Sequence, residues 1–254
     1  MPVVRRYFCK LACALTLVAC TDDPRDELEA LRRDVEAGRL EAIDALVHAE
    51  YSDPMGDRAQ LMSDLKQLSR EYPRIELRWS ELSVVRDAQP GAVDVVGRQD
   101  VRLVGDVGWK LTGPLRVEFR PSGRLRVRSG LLDDLRAIRQ LMDRRRRALE
   151  GNDPEGYGAL LHPQYRDGDL DRDDAVKRLQ EDLQSVAIRH TPHHYRVDVR
   201  GPLAHVDERY AIRAGGRVHP RGVARFTLQR SAGAWRIASG LYPKEKKLTS
   251  EGSW

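Results

Sequence analysis

The strongest constraint on this chain is an internal repeat. The segment Ala-Leu-Val-His-Ala-Glu-Tyr-Ser-Asp at residues 45–53 returns as Ala-Leu-Leu-His-Pro-Gln-Tyr-Arg-Asp at residues 159–167, and Ser-Gly-Leu at 129–131 returns at 239–241. Repeat units of solenoids and propellers are only about 20 to 50 residues long, whereas a unit of this length is able to bury its own core. The repeat therefore predicts two tandem domains, of residues 25–131 and 132–242.

The same order of elements is predicted in each copy. Apolar residues at helical spacing predict helices at 26–37, 40–47 and 57–71, and again at 133–150, in a short segment ending at 161, and at 171–184. Alternation of apolar and polar residues then predicts strands at 75–84, 93–103, 109–119, 125–131, 187–200, 203–214, 218–230 and 234–242. The sequence thus predicts an α+β fold with a meandering antiparallel sheet in each copy.

This element order resembles that of the nuclear transport factor 2-like superfamily, which also contains SnoaL-like cyclases, ketosteroid isomerases and scytalone dehydratase. The aromatic-acidic turns Tyr51-Ser52-Asp53 and Tyr165-Arg166-Asp167 add to the resemblance, which covers both copies. It implies two tandem cone-shaped domains, each with three helices packed on a curved antiparallel sheet around a cavity. Some members catalyse reactions and many only bind, so the fold does not choose between enzyme and binding protein.

The amino terminus is typical of an export signal. Basic residues precede an apolar run at 11–19 that is too short to span a bilayer. The sequence Leu17-Val18-Ala19-Cys20 resembles the bacterial lipobox, which implies cleavage before Cys20 and attachment of lipid to Cys20. The alternative is an ordinary signal peptide with a chance cysteine. We predict a signal peptide at 1–19, a tether at 20–24 and a loosely ordered tail at 243–254.

This assignment predicts a location and excludes several chemistries. All three cysteines lie at or before Cys20, so the mature protein would have no disulfide and no thiolate metal ligand. The membrane, reached through the lipid on Cys20, is the predicted partner, and the export signal argues against nucleic acid. Thr21 after the cysteine, by its resemblance to enterobacterial sorting signals, implies the outer membrane, with the protein facing the periplasm.

Positive charge is concentrated in the second copy. Residues 20–131 have a net charge of −3 and residues 132–254 a net charge of +5. The densest cluster is Arg144, Arg145, Arg146 and Arg147, near the end of a predicted helix, where cations complement the helix dipole. We interpret this run as a solvated helix face; the alternative is a contact with anionic lipid headgroups or cell-wall polymer.

Two ionisable residues share the apolar face of the second sheet. Glu208 and Tyr210 have the same strand parity as Phe226, Trp235 and Ser239, and these last three, with Tyr165, are the predicted pocket residues. A desolvated carboxylate has a raised pKa, and with a neighbouring phenol it would suit the proton transfers of an isomerase or dehydratase. In the alternative interpretation, Glu208 pairs with an arginine from a helix and Tyr210 is a core residue.

His162 and Asp167 are further catalytic candidates, because the turn that contains them feeds the cavity in the superfamily. A histidine and an aspartate that converge on a carbonyl would suit acid-base catalysis. The equivalent residues His48 and Asp53, however, recur over an almost featureless apolar face in the first copy. We therefore interpret His162 and Asp167 as residues that brace the turn.

No metal or cofactor is predicted. His190, His193 and His194 with Asp198 resemble a ligand cluster, but on a strand His193 and His194 point to opposite faces. Phosphate-binding, dinucleotide-binding, zinc-protease and hydrolase-elbow motifs are missing from the sequence.

The leading hypothesis is a non-catalytic envelope lipoprotein that binds a small apolar ligand or an envelope protein partner, mainly through the second copy. One alternative is an isomerase, cyclase or dehydratase that uses Glu208 and Tyr210. Another is a structural assembly factor that docks the helix of Arg144 to Arg147 on an anionic surface.

Overall fold

A computed structural model describes residues 23–86, 92–122, 124–185, 188–214 and 217–240. The predicted signal peptide, Cys20 and the tail at 243–254 lie outside these residues. Within the described ranges, no helix combines the length and the apolar character that a membrane crossing requires.

Both halves of the chain place their helices before their main strands. The first half contains α1 (Pro24–Glu36), α2 (Leu40–Leu46), β1 (Ser52–Asp53), β2 (Gly56–Asp57), α3 (Arg58–Glu71), β3 (Arg74–Arg86), β4 (Val93–Val104), β5 (Gly108–Ser122) and β6 (Arg124–Ser129). The second half contains α4 (Asp133–Glu150), α5 (Pro154–Gly158), α6 (Arg172–Ser185), β7 (Ile188–Arg200), β8 (Leu203–Ala214), β9 (Arg217–Ser231) and β10 (Ala234–Ser239). The short hairpin of β1 and β2 was not predicted.

The repeated Asp-Arg pairs begin corresponding helices. The side chain of Asp57 accepts a hydrogen bond from the backbone N–H of Gln60 at 3.0 Å, and Asp171 accepts one from Asp174 at the same distance. Each carboxylate satisfies a backbone donor that the first helical turn leaves unpaired. The following arginines, Arg58 and Arg172, each donate to a backbone carbonyl fourteen residues earlier in the chain. The pair is therefore a local folding signal that both halves use.

The repeated Ser-Gly-Leu segments end the last strand of each half. Gly130 has a φ of 87° and Gly240 a φ of 104°, and residues other than glycine rarely adopt such values. A Cβ atom at either position would also collide with a backbone carbonyl, of Arg116 or of Arg225. Glycine is therefore required at both positions by backbone geometry.

The strands of the two halves join into one eight-stranded sheet. The order is β10-β9-β8-β7-β5-β4-β3, and β6 pairs with β5. Neighbours within each half are antiparallel, but β5 and β7 are parallel, with residues 108–112 of β5 opposite residues 194–198 of β7. The predicted antiparallel strands are confirmed; the parallel junction between the halves was not predicted.

Close packing holds this junction together. The rings of Trp109 and Tyr195 stack across it with centroids 4.1 Å apart. Gly113 lies so near Val199 that an added Cβ would be 2.8 Å from the Val199 Cβ. Buried apolar residues from both halves belong to one continuous cluster. The junction is therefore part of the core.

A buried ion pair also joins the halves. Arg136 of α4 contacts Asp53 of the first half at 2.6 Å, and both side chains are 1% exposed. Asp53 also accepts a hydrogen bond from the Tyr51 hydroxyl at 2.5 Å, and the Nε of Arg136 donates to Asp64 at 2.7 Å. The repeated Tyr-x-Asp turn of the first half thus anchors the first helix of the second half.

The α+β class is confirmed, with helices packed on a large antiparallel sheet. The tandem-domain boundaries at 25–131 and 132–242 stay a prediction, because the two halves share a sheet, an apolar cluster and a buried ion pair.

Candidate functional site

Glu208 of β8 lies at the centre of a buried polar cluster. Its side chain is fully buried and contacts Nη1 of Arg145 at 2.8 Å through Oε2. The Tyr195 hydroxyl donates to the other carboxylate oxygen at 2.6 Å, and Nε2 of His190 lies 3.5 Å from Oε2. Arg145 comes from α4, whereas Tyr195 and His190 come from β7. The alternative in which a helical arginine pairs with Glu208 therefore describes the geometry.

Aromatic rings enclose Arg145. Its Nε donates to the Tyr157 hydroxyl at 3.1 Å, and the guanidinium lies 4.4 Å above the centroid of Phe226. The sequence analysis did not identify Arg145 as the partner of Glu208. Its burial was indicated by its position, because Arg145 lies four residues from each of the buried residues Leu141 and Leu149 on the same helix face. Tyr195 likewise shares strand parity with the buried Val197.

The protonation of Glu208 differs from the expectation. Burial by itself would raise the pKa of Glu208, but Arg145, His190 and Tyr195 lower it to about 2. Burial, together with the neighbouring Glu208, raises the pKa of the Tyr195 hydroxyl. At neutral pH the cluster therefore holds a fixed carboxylate and a neutral phenol, not a pair poised for proton transfer.

Tyr210 does not take the place predicted for it. The phenol that donates a hydrogen bond to Glu208 is that of Tyr195, which lies directly opposite Glu208 on the neighbouring strand β7. The ring of the partly buried Tyr210 lies instead 5.0 Å from that of His190. This corrects the sequence-based pairing of Glu208 with Tyr210.

The predicted pocket residues mostly belong to packed structure. Phe226 lies under Arg145, and Trp235 donates from Nε1 to Asp134 at 3.0 Å. Ser239 pairs with Thr227 in the sheet. Tyr165 is buried and donates to Asp167 at 3.3 Å, beside a shallow surface depression. The interior expected to hold a ligand is therefore occupied, around these residues, by side chains.

His162 and Asp167 contact their own turn. Nδ1 of His162 accepts a hydrogen bond from the backbone N–H of Gln164 at 3.1 Å, and His48 accepts an equivalent bond from Glu50 at the same distance. Asp167 accepts from Tyr165, as Asp53 does from Tyr51. These bonds favour the structural interpretation of both residues.

The four consecutive arginines of α4 face different surroundings. Arg145 is buried, which excludes the predicted contact of this residue with an anionic surface. Arg146 pairs with Asp143 and Glu150, and both Arg146 and Arg147 line a cleft. Arg144 is exposed and outside the wall of that cleft. The surface contact stays a prediction for Arg144, Arg146 and Arg147.

A cavity with a volume of about 700 Å³ lies between the two halves. Its wall contains residues of α3 and α4 and residues at the beginnings of β5 and β7. Its wall includes the stacked pair Trp109 and Tyr195, together with His190, but not Glu208. This is the candidate functional site, which we call the inter-half cleft.

Charged residues are frequent in the wall of the inter-half cleft. It has the four carboxylates Asp64, Glu71, Asp143 and Glu150 and the five arginines Arg136, Arg139, Arg146, Arg147 and Arg189. All four carboxylates pair with three of these arginines at 2.5 to 3.4 Å. Across the described ranges, Arg147 and Arg189 have no carboxylate partner.

His190 is a buried polar group at this wall. Its side chain is 1% exposed, Nε2 faces Glu208 at 3.5 Å, and Nδ1 has no hydrogen-bond partner among the described residues. Such groups are rare in folded proteins, because a buried polar atom without a partner costs free energy. The described residues contain no cluster of three His, Cys, Asp or Glu side chains arranged for a metal ion.

No protein-family model matches the sequence, and no curated protein matches it. Among solved structures, a Streptomyces avermitilis protein of the nuclear transport factor 2-like family is similar, with 19% identity over 42% of this chain and 92% of its own, and a TM-score of 0.36. Also similar is a protein of Nostoc punctiforme with a cystatin-like fold, with 15% identity over 43% of this chain and 88% of its own, and a TM-score of 0.38. A conserved protein of Planctomyces limnophilus has 22% identity over 42% of this chain and 92% of its own, and a TM-score of 0.38. Likenesses this weak assign neither a family nor a function.

Proposed function

We propose that this chain is a non-catalytic binding protein that holds a small ligand in the inter-half cleft. The observation that supports the proposal is the contrast between two sets of charged groups. Glu208 is buried and fully engaged by Arg145 and Tyr195, whereas Arg147 and Arg189 lie exposed in the cleft wall with no carboxylate partner among the described residues. Binding capacity therefore lies at the cleft and not at the buried carboxylate.

The enzymatic alternative has little support from this geometry. A general base works best when its pKa lies near the operating pH, and the pKa of Glu208 is lowered to about 2. Glu208 is also absent from the wall of the cleft, so a substrate there would not reach it. The carboxylate neutralises Arg145 instead.

The inter-half cleft favours a different class of ligand from the one expected for the interior of the second copy. A purely apolar ligand was expected for the interior of the second copy, but the wall of the inter-half cleft contains nine charged side chains. Burial of an apolar molecule there would desolvate polar groups without compensation. The proposed ligand therefore has polar groups of its own.

We further propose that lipid on Cys20 attaches the protein to the bacterial envelope, at the outer membrane and facing the periplasm. The support is the export signal and its lipobox-like end at residues 17–20. Labelling with radioactive palmitate should mark the wild type and not Cys20→Ala. Equal labelling of the two would refute the anchor without affecting the cleft.

Native mass spectrometry of the purified full chain tests the cleft. We expect an added small-molecule mass in the wild type and its loss in Gln140→Trp, because Gln140 is an exposed residue of the cleft wall and the indole would fill the space. Gln180→Trp, at an exposed site on α6 outside that wall, is the matched control and should retain the mass. Retention by both variants, or absence of any added mass, would contradict the proposal.

A further inference from the structure

The charges of the inter-half cleft point to a more specific ligand, on the assumption that the proposed function holds. The four carboxylates of its wall are already paired, with Arg136, Arg139 and Arg146. Arg146 serves two of these carboxylates, and Arg136 serves Asp64 together with Asp53, so all of these groups are engaged within the protein and offer little to a ligand. The charged groups of the wall that have no ion-pair partner among the described residues are both cations.

Two arginines supply that charge. Arg189 is exposed at the beginning of β7, and Arg147 is exposed near the end of α4. The only hydrogen bond described for the Arg147 side chain is a long one of 3.4 Å from Nε to the carbonyl of Asp143. Both guanidinium groups are therefore able to bind an anion, and planar forks of this kind match carboxylate and phosphate oxygens.

Apolar side chains lie in the same wall. Trp109 and Tyr195 stack at the junction of β5 and β7 and are buried, so they present only their edges, while Val107 and Pro192 are half-buried. The wall thus combines two exposed cations with apolar side chains.

We propose that the inter-half cleft binds a small organic anion, whose acidic group contacts Arg147 and Arg189 and whose apolar body faces Trp109 and Tyr195. A purely inorganic anion would leave the apolar part of the wall unused. A neutral aromatic molecule would leave the two arginines without a counter-charge. The combination selects an amphipathic acid.

Two fluorescent probes with one aromatic body test the proposal. Anilinonaphthalene sulfonate carries an anionic group, and phenylnaphthylamine is the same body without it. We expect the purified full chain to bind the sulfonate about tenfold more tightly, a difference of ~1.4 kcal/mol. The double variant Arg147→Gln with Arg189→Gln should lose this preference. Arg144→Gln, a charge removal on the same helix but outside the cleft wall, should keep it.

The outcomes separate this proposal from the one on which it rests. Equal affinities for the two probes, or the same loss in Arg144→Gln as in the double variant, overturn the anion preference. If Gln140→Trp weakens both probes while neither is preferred, the cleft binds ligands but does not select anions. If Gln140→Trp changes the affinity of neither probe, cleft binding itself is refuted. Both probes are also measured on Cys20→Ala, which lacks the proposed lipid, so that probe bound to lipid does not enter the comparison between them.

Discussion

Arg145 and Glu208 form a buried ion pair of 2.8 Å that joins α4 to the sheet of the second half. The side chain of Glu208 is fully buried and that of Arg145 is only 7% exposed, so each depends on the other for neutralisation of its charge. Tyr195 and Tyr157 complete the hydrogen bonding on the two sides of the pair. This buried ion pair thus fixes α4 against the sheet beside the inter-half cleft.

Removal of either partner should strongly destabilise the fold. An unpaired charge left in the core typically costs about 3 to 5 kcal/mol, so Arg145→Met and Glu208→Gln should each lower the free energy of unfolding by this order. The double variant should cost less than the sum of the two, because it leaves no buried charge. Urea unfolding measures all three. Arg200→Gln, which removes an exposed partner of Asp198, should change little, and equal losses there would contradict the assignment.

The free energy of unfolding should also depend on pH through Glu208. The pKa of Glu208 is lowered from 4.5 to about 2 in the folded protein, so the pair contributes its full stabilisation above pH 4.5. This contribution is lost as the pH falls from about 4.5 to about 2. Urea unfolding across this range should show a steeper pH dependence in the wild type than in the Glu208→Gln, Arg145→Met double variant. Identical slopes would mean that Glu208 is not ionised in the core.

Asp133 should have the opposite pH dependence. Burial, and secondly the charge of Asp134, raises the pKa of Asp133 from 3.8 to about 6. The folded state therefore binds this proton more tightly, and stability is lost as the pH rises from about 3.8 to about 6. Asp133→Asn should stabilise the protein at pH 7 by about 1 to 3 kcal/mol, measured by urea unfolding. Asp134→Asn, which weakens contacts with Arg230 and Trp235, should destabilise it instead.

The ion pair between Asp53 and Arg136 should couple the two halves. Both side chains are buried, so Asp53→Asn should cost about 3 kcal/mol or more in the free energy of unfolding. Asp100→Asn is the comparison: Asp100 and its partner Lys110 are 43% and 46% exposed, and exposed pairs contribute about 0 to 1 kcal/mol. Similar costs for the two variants would show that burial does not set the strength of the Asp53 pair.

Gly113 should be required at the junction of β5 and β7. Gly113→Ala would place a Cβ 2.8 Å from the Cβ of Val199, and overpacking of this kind costs about 1 to 3 kcal/mol. Val199→Gly removes that Cβ, which makes space at the same point, and also loses apolar contact. In the double variant the two changes should partly compensate, which a thermodynamic cycle of urea unfolding measures. If the free-energy changes of the two single variants simply add in the double variant, residues 113 and 199 are not in close contact.

Much of the fold was predictable because its signals are local. Helices and strands follow from the spacing of apolar residues, as with Leu28, Leu31 and Val35 on the buried face of α1. The alternation of inward and outward side chains along β8 correctly predicted that Glu208 lies on the core face of the sheet. The duplicated segments marked positions that backbone geometry constrains, such as Gly130 and Gly240, which have positive φ in both halves.

The partners of these residues were less predictable, because periodicity assigns a face and not a neighbour. Glu208 was assigned to Tyr210 on its own strand, yet its hydrogen bond comes from Tyr195 on the adjacent one. The inter-half cleft lies beside the parallel pairing of β5 with β7, which joins segments more than eighty residues apart in the chain. By itself the sequence determined two similar halves, their elements and their buried faces. Only the tertiary structure decided how the halves join and where space remains, because long-range strand pairing and side-chain packing depend on contacts that no local pattern specifies.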